Sequence, residues 1–170
     1  MMRVNQSIHQ HVNTLLADEF YFIEAEETSP FGNVDGADAF EAYQVWRTDF
    51  PSVSPLVFFN ELLFAWEYLP FDYTTVSNDT IAKYLIENPL GIDMLIGQNC
   101  ALVALSFGQY IIEGHVCSRL VQQTQTAIQI ALNPLVLMAY QASYQAKRTH
   151  YLQLMCDTLS LVATYEEINR

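Results

Sequence analysis

Val4, Ile8, Val12, Leu15, Leu16, Phe20 and Ile23 recur every three or four residues, which is the period of one helix face and predicts an amphipathic helix over roughly residues 3–25. Ser29-Pro30-Phe31-Gly32-Asn33 closes it, because proline and glycine interrupt the helical ladder. After a turn at Asp35-Gly36, Ala39, Phe40, Tyr43 and Trp46 predict a short second helix that stops near Asp49-Phe50-Pro51. Ser54 as N-cap and Pro55 at the first helical position start a third helix, which runs through Phe58, Phe59, Leu62, Leu63, Trp66 and Tyr68 until Pro70.

Phe71 to Val76 has extended character but is too short to support a sheet. Ser77-Asn78-Asp79-Thr80 caps a fourth helix, and Asn88-Pro89 opens a long fifth that ends at Glu113-Gly114, with Gly114 as its C′ stop. A sixth helix runs from about Cys117 to Leu132. Asn133-Pro134 then either breaks the chain or bends it into a seventh helix reaching about Tyr165. The pattern predicts an all-α fold, a single-domain bundle of six or seven helices over residues 1–170, without internal repeat or interdomain linker. At 170 residues such a domain buries roughly 70% of its unfolded surface and needs neither metals nor disulfides as staples.

Charge divides this bundle in two. Residues 1–93 hold fifteen Asp and Glu against Arg3, Arg47 and Lys83, and so carry the whole net charge of -12. Residues 94–165 contain only Glu113, Asp157, Arg119, Lys147 and Arg148. An acidic N-terminal half is thus joined to apolar C-terminal helices, as expected of an anionic face aimed at a basic partner and a hydrophobic half buried in the fold or against another protein. Seven basic residues scattered among nineteen acidic ones neutralise too few phosphates for direct DNA or RNA binding.

Met94 to Ile112 is an uncharged run of 19 residues, long enough to cross a bilayer. It contains Gly97, Gln98, Asn99, Ser106, Gly108 and Gln109 and lacks a flanking Lys/Arg cluster, which favours a buried central helix and no membrane association. The N-terminus carries no apolar run of the signal-peptide kind. Cys100, Cys117 and Cys156 are odd in number and widely spaced, which fits reduced thiols in a cytoplasmic protein.

Asp18, Glu19, Glu24, Glu26, Glu27, Asp35, Asp38 and Glu41 form the candidate partner-binding surface, since an array of fixed carboxylates can occupy a site built for nucleic-acid phosphates. Glu24, Glu26 and Glu27 fall at the C-terminal end of the first predicted helix, where the helix dipole disfavours them, so local stability does not account for them. Gly97, Ala101, Ala104 and Gly108, spaced 4, 3 and 4, lay a stripe of small residues along the fifth helix. Close packing of another helix is the first use of such a stripe, and a groove for a flat apolar ligand is the second. Tyr144, Tyr151 and Tyr165 share a face of the last helix, near Lys147, Arg148 and His150, and suit core packing or a homodimer contact. Gln122, Gln125 and Gln129 give the sixth helix an uncharged polar face of the kind found at protein contacts.

No catalytic or cofactor motif stands out. His9 and His11 diverge by about 200° on a helix and cannot share one metal from one face. His115 with Cys117, and His150 with Cys156, lack a closed ligand spacing. Glu61 and Glu67, six apart on an aromatic helix, are not aligned as an acid and base pair. The expectation is therefore a protein without cofactor or metal that is not an enzyme. It is an acidic binding module that inhibits a basic nucleic-acid-binding protein or nucleoprotein complex, in the manner of an immunity or anti-CRISPR-like nucleic-acid mimic. The alternatives are a helical structural subunit of a larger assembly, or a bundle that holds a small apolar ligand.

Overall fold

The computed structural model describes residues 12–168, with side chains described through residue 163. Among these residues the protein is all-helical and forms one compact domain of eight α-helices without strands. They are α1 (Val12–Leu15), α2 (Val34–Asp49), α3 (Pro55–Ala65), α4 (Asn78–Glu87), α5 (Gly91–Glu113), α6 (Ser118–Ala131), α7 (Pro134–Leu137) and α8 (Ala142–Ile168), with a 3-10 turn at Glu19–Phe22.

α5 is the axis of the bundle. α2 and α6 pack along it, α3 and α4 also touch it, and α8 lies against α6 and α1. Among the described residues α5 is the one helix long and apolar enough to cross a membrane, and 83% of its most apolar window is buried inside the domain. Its polar side chains explain why: each latches a neighbouring segment, satisfying groups that burial would otherwise penalise. Gln98 accepts from Phe71 N (2.9 Å) and donates to Leu69 O (3.0 Å) and Tyr84 Oη (3.0 Å). Ser106 and Thr124 share a hydroxyl contact at 2.7 Å, and Gln109 Oε1 accepts from Cys117 N at 2.9 Å.

Helix starts follow the capping residues. Ser54, Ser77 and Asn133 each accept a backbone N–H of the first turn, and Ser77 and Thr80 form a reciprocal capping box. Gly114 stops α5 with a left-handed φ of 73°. Three expectations change. The first predicted helix is helical only at Val12–Leu15 within the described part. Its remainder is a turn and loop because Phe20 and Tyr21 are drawn into the core: Phe20 stacks on Tyr151 at 4.0 Å and Tyr21 Oη meets Thr158 Oγ1 at 2.6 Å. The second helix begins earlier, because Asn33 caps it and Gly36 lies inside its first turn. Asn133-Pro134 breaks the chain, so the predicted seventh helix is two, α7 and α8.

α3 ends before Pro70. Tyr68 N donates to Leu63 O at 2.9 Å and Glu67 N to Phe64 O at 3.1 Å, with Glu67 in the left-handed region at φ 57°. Glycine normally occupies this position, and a side chain there costs about 1 kcal/mol. Glu67→Gly is expected to raise the melting temperature by about 2 °C. A fall on thermal unfolding would show that the Glu67 side chain contributes more than its backbone costs.

Candidate functional site

The acidic segment that precedes α2 is shaped by its own polar groups. Asp18 Oδ1 accepts from Phe20 N at 2.9 Å and starts the 3-10 turn. Ser29 Oγ donates to Ile23 O at 2.9 Å. Asn33 donates from Nδ2 to the carbonyls of Glu27 and Ser29 (3.1 and 3.2 Å) and accepts from Gly36 N at 2.7 Å, clamping the loop onto the first turn of α2. Gly32 is packed so tightly that a Cβ there would stand 2.0 Å from Glu26 O.

Six of the eight acids expected at a partner surface, Asp18, Glu19, Glu24, Glu27, Asp38 and Glu41, are exposed. The other two are occupied inside the chain. Asp35 is half-buried and accepts from Tyr68 Oη at 3.1 Å; burial pushes its carboxyl up. Glu26 is 6% exposed. Its carboxylate accepts from Thr28 N at 3.1 Å and from Tyr144 Oη, and pairs with Lys147 Nζ at 2.6 Å. Burial pushes the Glu26 carboxyl up, but Lys147, Tyr144 and Thr28 together hold it below the usual carboxylate range. Glu26 therefore joins the loop to α8 rather than facing a partner. The dipole expectation also changes, since no helix ends at Glu24–Glu27. Asp35 instead lies in the first turn of α2, where the dipole favours a carboxylate.

Three cations make contacts within the chain, whereas Lys83 and Arg119 are exposed. Arg47 forms a fork with Glu113, Nε to Oε1 at 2.5 Å and Nη2 to Oε2 at 2.9 Å, and both side chains are mostly buried. Burial pushes the Glu113 carboxyl up, while Arg47, Gln109 and His115 hold it below the usual range. Lys147 is tied to Glu26, and Arg148 is buried. On the outer face of α2, Asp38, Glu41 and Asp49 alternate with exposed Val34 and Val45 at helical spacing, giving an acidic stripe to which α2 itself contributes no cation.

The small-residue stripe on α5 is filled. Gly97, Ala101, Ala104 and Gly108 are all buried. A Cβ on Gly108 would stand 2.5 Å from the Phe40 ring, and one on Gly97 would stand 2.6 Å from the Tyr68 ring. Aromatic side chains from α2 and from the segment after α3 thus occupy the two glycine positions that an apolar ligand would have needed. Tyr144 is half-buried, bonded to Glu26 and to Thr28 Oγ1 (2.7 Å), and Tyr151 is stacked on Phe20. These two tyrosines serve the interior of the chain. The Tyr165 side chain, His9 and His11 lie outside the described residues. On α6, Gln125 and Gln129 reach across to Ser160 (3.0 Å) and to Cys156 Sγ (3.9 Å) of α8. That polar face therefore joins two helices of the same bundle.

Among the described residues no three His, Cys, Asp or Glu side chains converge as a metal site, and the three cysteines are free thiols. Glu113 and His115 approach at 3.3 Å, a contact that belongs to the Arg47 pair. Comparison of the chain with protein-family models, curated proteins and solved structures gave no match.

Proposed function

We propose that the protein is an acidic binding module that engages a basic nucleic-acid-binding protein or nucleoprotein complex and inhibits it by presenting carboxylates where phosphates would lie. It acts as a binding protein, not an enzyme, in the reducing cytoplasm that suits its free thiols. One observation carries the proposal: six of the eight acids of the candidate surface are exposed, while Arg47 is paired with Glu113 and Arg148 is buried. Asp38, Glu41 and Asp49 are exposed together on the outer face of α2, and an anionic face of this kind favours fast, charge-steered association.

The test is a pull-down from host extract with salt-gradient elution, followed by affinity measurement on the recovered partner. Association is expected to weaken at least tenfold between about 50 and 200 mM salt. The triple variant Asp38→Lys, Glu41→Lys, Asp49→Lys is expected to lower affinity at least a hundredfold with little change in stability. An affinity insensitive to salt and to the triple variant would overturn the proposal. That result would favour a second reading, a helical subunit of a larger assembly, for which Phe64 (86% exposed) and Ile86 (83% exposed) are the supporting observations.

A further inference from the structure

Arg148 is 3% exposed, an unusual place for a guanidinium unless an anion compensates it. Its interactions are neutral. Nη1 donates to Thr28 Oγ1 at 3.3 Å, and the Tyr140 ring stacks against it with the guanidinium carbon 4.0 Å from the ring centroid. Among the described residues no carboxylate pairs with it, since Glu26 is bonded to Lys147, and its Nε has no hydrogen-bond partner.

The same pocket holds a second unspent donor. Asn99, 4% exposed on α5, accepts from Tyr73 Oη at 2.9 Å through Oδ1, while its Nδ2 has no partner. Arg148 and Asn99 line one cavity together with Thr28, Cys100 and an apolar wall that includes Val103 and Met155. The cavity leaves about 20 Å³ for the centres of water-sized groups, room for roughly one or two such groups. Burial pushes the Cys100 thiol up to about 12, so it faces the cavity as a neutral S–H.

We propose that this cavity is a binding site for a small monovalent anion, best filled by the most compact planar carboxylate, formate, whose oxygens accept from Arg148 and Asn99. Carboxylate suits the fork of a guanidinium, and the charge-assisted bonds satisfy two buried donors at once. The apolar wall accepts the formate hydrogen and offers nothing to a further charge. Glu27, whose exposed carboxylate also borders the cavity, disfavours dianions such as phosphate. The site shares only Glu27 with the acidic partner surface and adds a ligand that the partner proposal does not require.

Thermal unfolding of the full chain at constant ionic strength tests it, with sodium gluconate as the bulky reference and formate, acetate, chloride and phosphate as replacements. Formate is expected to raise the melting temperature saturably, by about 4 °C at ten times the half-saturating concentration, and the larger acetate to act more weakly. Phosphate is expected to do nothing. A saturable response to chloride, equal to that of formate, would assign the site to a spherical halide and overturn the carboxylate preference. Asn99→Asp keeps the acceptor for Tyr73 and places a carboxylate in the cavity. It is expected to abolish the formate response and to melt higher than the wild type in gluconate. Arg148→Met is expected to weaken the formate response at least tenfold if it folds. A wild type that melts identically in formate and gluconate, or an Asn99→Asp variant that keeps the full response, would overturn the proposal.

Discussion

Glu26→Ala is expected to lower the unfolding free energy by about 2–3 kcal/mol, whereas Glu41→Ala, in the same acidic set, is expected to change it by less than about 0.5 kcal/mol. The difference lies in what each carboxylate touches. Glu26 is 6% exposed and accepts from Thr28 N, Tyr144 Oη and Lys147 Nζ, so its removal strands the buried Thr28 N, leaves half-buried Tyr144 with Thr28 Oγ1 alone and unpins the loop from α8. Lys147 is 53% exposed and returns to water, which keeps the loss below that of a fully buried pair. Glu41 is exposed on the outer face of α2. Urea unfolding of the two variants checks this, and equal small losses would mean that Glu26 faces solvent in solution.

The same network gives the stability a defined pH dependence. The folded state holds Glu26 and Glu113 below their usual carboxylate values. Their contribution is therefore complete above about pH 4.3, the ordinary value of an unfolded Glu, and is lost as the pH falls through the lower folded values. Glu26→Ala should show a flatter fall in stability across that acid window than the wild type.

Gly108→Leu is expected to cost about 3 kcal/mol or more, and Gly108→Ala about 2 kcal/mol. A Cβ at this position would stand 2.5 and 2.7 Å from two atoms of the Phe40 ring. Phe40 cannot turn aside, because it is 4% exposed and packs on Phe31 with centroids 4.5 Å apart. Trimming the ring with Phe40→Leu should restore part of the stability of Gly108→Ala, a coupling that a double-mutant cycle in urea would measure. Wild-type stability in Gly108→Ala alone would show that Phe40 does not seat on α5.

Helix starts and stops with a local cause were legible in the chain. Ser54-Pro55, Ser77 with Thr80, and Gly114 do their work within one turn of their own position, so spacing alone reveals them. The long apolar run could be read as a core helix for the same reason, since its scattered amides and hydroxyls had to find partners. The irregular path over residues 16–28 was not legible, although the break at residues 29–33 was. Its apolar residues keep helical spacing, but Phe20 and Tyr21 bind Tyr151 and Thr158, more than 100 residues away.

The candidate surface divides along the same line. That the first half is acidic and the last helices apolar follows from residue order alone, because charge is a property each side chain carries wherever it folds. Which carboxylates face water depended on contacts between distant segments. Glu24, Glu26 and Glu27 are indistinguishable by type and spacing, yet only Glu26 meets Lys147 and Tyr144 of α8. The small-residue stripe announced a close approach without naming its occupant, which proved to be Phe40 and Tyr68. Arg148 was legible only as a cation near the tyrosines of the last helix, and nothing in the sequence marked it as buried. Burial and unspent hydrogen bonds arise only when α5, α6 and α8 close around it, and packing among distant residues is the one interaction that local pattern does not encode.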